Sequence, residues 1–337
     1  MDAMTAPRCT DSDYIDFLLA TQKTVTATEA ARVQPDRPNR PAHDAFTRLL
    51  HRLEPDPQTL WQEVGPLVPR LGGLLVVDDS VLDKPYARHM GLVGRFWSGK
   101  HKRIVQGIDL VTLLWTDGDV LWPCDYRLVN PADGKTKTKN DHFRDLLAVA
   151  HGRGLNPRCV SFDCWYSGKD NLKAVRGYGW TFLTQIRSNR RVNLDRQGNR
   201  AVSELPIAAS GTVVHLEGFG LVKVFRIVAT NGHTEHWITN DLEMDETTRL
   251  AYAEQAWGIE EYHRGLKQYC GVERAQVRHP DAQRNHIGCA LRAFVRLEYH
   301  RFTTGISWFE AKLRIIRKAV RLFLTEPLYR LPETATA

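Results

Sequence analysis

Apolar residues recur at three- and four-residue spacing through DYIDFLLATQ, HDAFTRLLHRLE and QTLWQEVGPLV, which predicts helices between residues 12 and 70, broken by the loop QPDRPNRP. Such helices suit either a small bundle or a helix-turn-helix-like reader of DNA. The pattern changes at Gly72, where GLLVVDD is a short β-type run ending in two carboxylates and RIVQGIDLVTLLW is a second. RDLLAVAHGRG then reads as a helix, RCVSFD as a strand, KDNLKAVRGYG as a helix and WTFLTQI as a strand. Strands first, then alternating helix and strand, predict a mixed α/β sheet flanked by helices. Between 189 and 244, GTVVHLEGFG, LVKVFRIVA and TEHWITND alternate apolar and polar residues between turns, as a β-rich insertion does. A helix capped by Asp245 runs through Lys267, and another covers about 281 to 302. WFEAKLRIIRKAVRLFL is an amphipathic basic helix, followed by the tail LPETATA, expected to fray.

A chain of 337 residues has room for about two domains. Hydrophobic residues at 42% and charged residues at 25% exclude collagen-like and wholly disordered chains. The excess of 46 Lys and Arg over 39 Asp and Glu, +7, is compatible with a polyanionic partner but does not require one. Six scattered cysteines without a CxxC pair argue against a zinc ribbon or a disulfide framework and read as reduced thiols. With no signal-peptide pattern at the start and no apolar run approaching the ~18 residues of a membrane span, an intracellular, water-soluble protein with no membrane partner is expected.

Three acidic residues stand out by placement. Asp79 closes the first strand, Asp163 closes a later one, and Glu260 lies on a helix. Carboxylates at the ends of adjacent strands meet at the sheet rim, where a helix laid across it can add a third. Such a cluster needs a cation to relieve like-charge repulsion, and hard oxygen donors select Mg²⁺ or Mn²⁺ over zinc. Metal-dependent phosphodiester chemistry follows. Taken singly, each has a structural use: Asp78 and Asp79 can terminate a strand, Asp163 can cap a helix, and Glu260 can face solvent. Glu260, Arg264 and Lys267 share one helix face, with Trp257, Tyr262 and Leu266 on the neighbouring core-facing side. That face is either a metal ligand beside two phosphate clamps or an exposed ion pair of roughly 0.3 to 0.5 kcal/mol.

Other signals are weaker. GRFWSGKH imitates P-loop spacing, but His101 stands where the metal-binding hydroxyl belongs, so no ATP site is expected. Residues 176–200 carry six arginines, among them Arg187, Arg190 and Arg191, against the single acid Asp195, as either a solvated turn or a DNA-backbone track does. Residues 301–330 are similarly basic and suit phosphates or a partner subunit. Trp165 and Trp237 are buried packing residues or platforms for an unstacked base. His279 and His286 have no partner at metal spacing and read as structural or phosphate-binding.

Taken together, VVDDSVLDK around Asp79, SFDCWYS around Asp163 and WGIEEYHRGLK around Glu260 resemble the DDE transposases of bacterial insertion sequences, in the branch with a Y-R-E-K helix signature. The resemblance spans about 12 to 300 and includes YIDFLLATQ, GKTKTKNDHFRDLL, WTFLTQIRSNRRVN and RNHIGCALRAFVRLE. In that signature a tyrosine and an arginine precede the glutamate by seven and four residues and a lysine follows by seven. Lys267 matches, while Ala253 and Ala256 occupy the other two places. Tyr252 is one residue out of register, and Arg264 is placed to replace part of the lost charge. The family pattern of Asp before Thr or Ser favours Asp79, which precedes Ser80, over Asp78.

The resemblance implies a ribonuclease H-like domain at 71–188 and 245–302, split by the insertion at 189–244, with an N-terminal helical DNA-binding domain at 1–70 and a basic C-terminal helix and tail at 303–337. It implies a transposase that binds terminal inverted repeats, cuts there and joins the ends to target DNA. Asp79, Asp163 and Glu260 would hold two Mg²⁺ ions, with Mn²⁺ as a substitute, and Arg187, Arg190, Arg191, Arg264, Lys267, Trp165 and Trp237 would contact DNA. A homodimer that pairs two ends and a cytoplasmic, nucleoid-associated location are expected. The alternatives are a nuclease without strand transfer and a degenerate, non-catalytic DNA-binding copy.

Overall fold

The stretch RIVQGIDLVTLLWT forms the axis of the sheet. Strand β3 (Arg103–Thr116) pairs antiparallel with β1 (Leu74–Asp83) on one side and β4 (Leu121–Val129) on the other. The short strand β2 (Gly94–Ser98) joins the first residues of β3. β5 (Cys159–Phe162) adds parallel to β1, and β6 (Phe182–Ile186) parallel to β5. The helices that make these parallel crossovers are α5 (Lys139–Gly152), opened by a capping box between Thr138 and Asp141, and α6 (Lys169–Gly177). An antiparallel meander followed by two parallel strands gives the order β4-β3-β1-β5-β6. This is a ribonuclease H-like mixed sheet flanked by helices. The computed structural model describes residues 8–36, 38–131, 137–230 and 232–329; the start of the GKTKTKN run and the LPETATA tail lie outside them.

The 189–244 region is β-rich, as its alternation predicts. Strands β7 (Arg191–Asn193), β8 (Arg200–Ala201), β9 (Thr212–Leu216), β10 (Gly220–Val228) and β11 (Thr234–Thr239) extend the same sheet through a β11–β6 pairing. The N-terminal helices are α1 (Asp11–Ala20), α2 (Ala27–Arg32), α3 (His43–Arg52) and α4 (Pro57–Val64). α1, α3 and α4 pack on α9 (Pro280–Thr304) and α2 on α3, within a hydrophobic core that continues through the sheet. Buried polar contacts fix that packing. Tyr14 Oη and His286 Nδ1 lie 2.9 Å apart, and Arg292 pairs with Glu63 and with Asp11. His286 is therefore structural, and His279 caps α9 through the Asp281 N–H.

Three local expectations need correction. β1 does not stop at its carboxylates but runs on to Asp83, because Val81 and Leu82 continue the buried pattern beside β3. The helix capped by Asp245 is two helices, α7 (Glu246–Ala256) and α8 (Gly258–Tyr269), divided at Trp257. Trp257 itself is 65% exposed, whereas Tyr262 and Leu266 are buried as the periodicity predicts. Just after the division α8 packs closely on β4, since a Cβ on Gly258 would meet Leu121 Cδ2 at 2.6 Å. The third is Trp257, expected on the core-facing side; strand β4, which the sequence reading did not single out, is buried along nearly its whole length and so shows no alternation, and its register shifts opposite Leu113 and Leu114.

Candidate active site

Adjacent residues of a strand point to opposite faces of the sheet, so the Asp78–Asp79 pair is divided between the two faces. Parallel pairing sets Val77 opposite Phe162, which brings Asp78 level with Asp163, just past the end of β5. On this face α7 and α8 lie across the strands. Asp78, Asp163 and Glu260 line one cleft of about 530 Å³, together with Gln185, Glu235, Trp237, Ala253, Glu254, Ala256 and Trp257. Asp79, preferred from the Asp-before-Ser pattern, does not line this cleft. Its oxygens accept from Tyr166 Oη and Lys139 Nζ, each at 2.7 Å, on the other face.

Each carboxylate is positioned by its own local structure. Asp163 caps a short 3₁₀ turn, accepting from the Trp165 N–H at 2.9 Å, so its structural and its candidate chemical uses coexist. Glu260 sits in the first turn of α8, exposed toward the cleft. Behind Asp78 lies His263, with Nδ1 at 3.8 Å from Asp78 Oδ2. Burial, helped by the Lys267 charge, pushes the His263 imidazole down to about 3, so it is neutral and does not offset Asp78.

The cleft is strongly anionic. Five carboxylates line it and none of its lining residues is Lys or Arg. Desolvation first, then the charges of Asp79, Asp163 and Glu260, hold Asp78 well above the usual carboxylate range. The Asp163 carboxyl is pushed up to about 6 by desolvation and by Asp79. Carboxylate oxygens without a local countercharge match the donor chemistry of a hard divalent cation. Among the described residues, no group of three His, Cys, Asp or Glu side chains is already gathered around one cation position, so ion binding would have to draw these ligands together.

The face carrying Asp79 holds a countercharge. Lys139 Nζ lies 2.7 Å from Asp79 Oδ2 and 2.7 Å from Oδ2 of the fully buried Asp109. Against the desolvation that lowers it, the charges of Asp109 and Asp79 keep the Lys139 ammonium above its ordinary value. Tyr166, with its hydroxyl on Asp79, is raised well above its normal range by burial and then by that charge. Sequence reasoning missed Asp109, Lys139, Tyr166 and His263. The available signal was Asp109 itself, a lone acid inside the apolar run GIDLVTLLW, which calls for a buried counterion.

The expected DNA-contacting residues have varied surroundings. Trp237 lines the cleft, and its Nε1 donates to Glu235 at 3.1 Å. Trp165 is 54% exposed, with Lys139 Nζ 5.9 Å from its ring centre. Arg187 and Arg191 are exposed, while Arg190 is half-buried and donates to Ser167 O at 3.4 Å. Lys267 is engaged elsewhere: its ammonium donates to Val81 O at 2.8 Å and pairs with Glu273 at 3.2 Å. Arg264 is exposed and pairs with Glu261 rather than Glu260. Ala253 and Ala256 both line the cleft, so the larger side chains of the Y-R-E-K signature would project into it.

The family described as "DDE superfamily endonuclease" matches residues 8–202, more than half of the chain. The chain belongs to the DDE superfamily. A second family, described as "Archaeal putative transposase ISC1217", matches residues 130–306. Together the two matches cover both strand carboxylates and the Glu260 helix of this DDE superfamily member. Among solved structures, the piggyBac transposase synaptic complex with hairpin DNA is similar at 12% identity with a TM-score of 0.50, covering 98% of this chain and 77% of that one. The Drosophila P element transposase strand transfer complex matches at 8% identity with a TM-score of 0.30, over 95% of this chain and 87% of that one. At these identities the first likeness concerns the fold, and the second is too low in TM-score to add to it. No curated protein sequence matches. Among the described residues, no helix is long and apolar enough to cross a membrane.

Proposed function

We propose that this DDE superfamily protein is a transposase of a bacterial insertion sequence that binds terminal inverted repeats, cuts the DNA there and transfers the freed ends to a target. The observation that carries this reading is the convergence of Asp78, Asp163 and Glu260, from two strands and a helix, on one cleft of a ribonuclease H-like sheet. These three carboxylates would hold two Mg²⁺ ions, with Mn²⁺ as a substitute. Bound there, the ions supply charge neutralisation and a more acidic attacking water. In hydrolysis, water adds to the scissile phosphorus, the bond to the 3′ oxygen breaks, and a 3′ hydroxyl and a 5′ phosphate result. In transfer, that 3′ hydroxyl attacks a target phosphodiester and displaces its 3′ oxygen.

Within this reading Asp79 is a positioning residue. Fixed by Tyr166 and Lys139, it sets the backbone on which Asp78 is displayed and adds negative potential behind Asp163. Trp237 and Trp257 form apolar walls of the cleft and would limit how a strand enters it. Arg187, Arg191 and Trp165, exposed near the mouth of the β5 and β6 strands, would track the DNA backbone, and residues 1–70 would grip the repeats. Two such chains would pair two ends.

Ala253 and Ala256 favour a second reading, a non-catalytic copy that retains DNA binding, because both stand in the cleft where phosphate-contacting groups are expected. Incubation of the full chain with linear DNA carrying the element's own ends, with Mg²⁺ and with EDTA, separates the two. Nicks that need Mg²⁺ and leave a 3′ hydroxyl are expected. Binding without nicking overturns the catalytic reading.

A further inference from the structure

We propose that the β2–β3 hairpin is a second DNA-gripping element, in which a basic turn holds the phosphates of duplex DNA and Trp97 packs against the sugar-base edge. The inference rests on the DNA-binding reading above and adds a surface outside the carboxylate cleft. Antiparallel register sets Trp97 opposite Ile104 and Arg95 opposite Gln106, and residues opposite one another share a face. Trp97 is 63% exposed and Ile104 56% exposed, so a large aromatic and its cross-strand neighbour stand together in solvent. Among the described residues nothing covers this pair, which leaves an apolar surface free beside the basic turn.

Charge selects the partner. GRFWSGKHKRIVQGI, residues 94–108, holds Arg95, Lys100, Lys102 and Arg103 and no Asp or Glu. Asp83 reaches the turn, pairing with His101 at 2.9 Å and with Lys100 at 3.4 Å. Arg95, Lys102 and Arg103 are exposed, and among the described residues they form no ion pair. The turn conformation is specific: Lys102 takes a left-handed φ of 49°. A cationic turn flanking an exposed aromatic complements a polyanion that also offers apolar edges, and duplex DNA has both.

The sheet fixes where this grip falls. Gly107 pairs with both Asp83 and Gly94, and a Cβ on it would meet Leu82 O at 2.5 Å, so the hairpin is locked to the end of β1. From Asp78 to Asp83 is five residues, and from Gly107 to Ile104 three, in the same direction along the sheet. At ~3.3 Å per residue this is about 26 Å. At ~3.4 Å per base pair, a duplex running along the sheet from the carboxylates would meet the hairpin about eight base pairs away.

The test measures binding of the full chain to a linear duplex across a salt series, without metal, so that cleavage plays no part. The K100A/K102A/R103A variant should reduce the slope of log affinity against log salt by about 2 to 3, at ~0.9 for each phosphate no longer neutralised. W97A should weaken binding about tenfold at fixed salt while leaving the slope unchanged. Hydroxyl-radical footprinting should lose the protection about eight base pairs from the cut site. Because all four residues are exposed, a thermal melt matching that of the wild type excludes misfolding as the cause. An unchanged slope with unchanged affinity overturns the inference, as does a W97A effect on oligomeric state in place of DNA affinity. Wild-type protein without salt-dependent binding would overturn the DNA reading itself, whereas binding that survives the hairpin changes overturns only this proposal.

Discussion

The two faces of β1 carry the same chemical group one residue apart and treat it in opposite ways. On one, Asp78 opens into a cleft with four other carboxylates and no lining cation, and a nearby histidine is neutral. On the other, Asp79 is closed off by Tyr166 and by a lysine shared with the buried Asp109. A strand alternates its side chains, so an Asp-Asp dipeptide inevitably sends one carboxylate to each face. The face with the lysine is paired like a folding core; the other has no lining cation, which is where a charged ligand has most to gain. The same contrast separates the helix residues, since Glu260 is free in the cleft while Lys267 is tied to Val81 O and Glu273.

The largest expected effect concerns the open face. Asp78→Asn, Asp163→Asn and Glu260→Gln should each lower Mg²⁺-dependent cleavage of the element's ends by about a thousandfold or more and leave end binding near wild type. Asp79→Asn, acting through position only, should cost about 10- to 100-fold. Equal losses for Asp78→Asn and Asp79→Asn would erase the distinction between the two faces. Lys139→Met tests the closed face through stability: it strands Asp109 and Asp79 without a counterion and should cost about 3 to 5 kcal/mol in urea unfolding. A loss under ~1 kcal/mol would show that the triad is not a paired unit.

A smaller effect is readable in pH. The Asp163 carboxyl, near 6 in the folded chain, lies above the ~3.9 of an unfolded aspartate. The native state therefore holds its proton more tightly. Stability falls as pH rises between those two values, and the penalty persists above them. Asp163→Asn should raise the unfolding midpoint at about pH 7.5 and change little at about pH 3.5; a shift of the opposite sign at the higher pH would contradict the crowding of the open face. Lys267→Met should lose about 1 to 2 kcal/mol from the broken charged hydrogen bond and affect cleavage chiefly through stability. Arg264→Ala, whose ion pair with Glu261 is exposed, should change stability by under ~0.5 kcal/mol.

Much of this was legible in the sequence where periodicity and local chemistry agree. α5, β5, α6, β6 and the β-rich insertion follow their apolar patterns, and the cap at Asp245 stands where the residue type places it. The meeting of Asp163 with Glu260 was legible too, from strand ends and a helix across the rim. Facing was harder. Choosing Asp79 over Asp78 needs the phase of β1 against β5, and that phase is set by the Val77–Phe162 pairing, which no local pattern reveals. Partners at long range were equally hidden: Lys139 meets Asp79 and Asp109 only after three strands and a crossover are in place. Lys267, matched to a phosphate-binding position by spacing alone, spends its charge on the backbone of β1.

The most direct measurement is Fe²⁺ with ascorbate, which generates hydroxyl radicals at a bound ion and cuts the polypeptide beside it. Fe²⁺ substituting for Mg²⁺ should yield backbone cuts close to residues 78, 163 and 260, suppressed by excess Mg²⁺ and absent in Asp163→Asn. Cuts centred instead on Lys139 and Asp109, or no localised cutting while the protein still binds DNA, would contradict a cation site on the open face of β1.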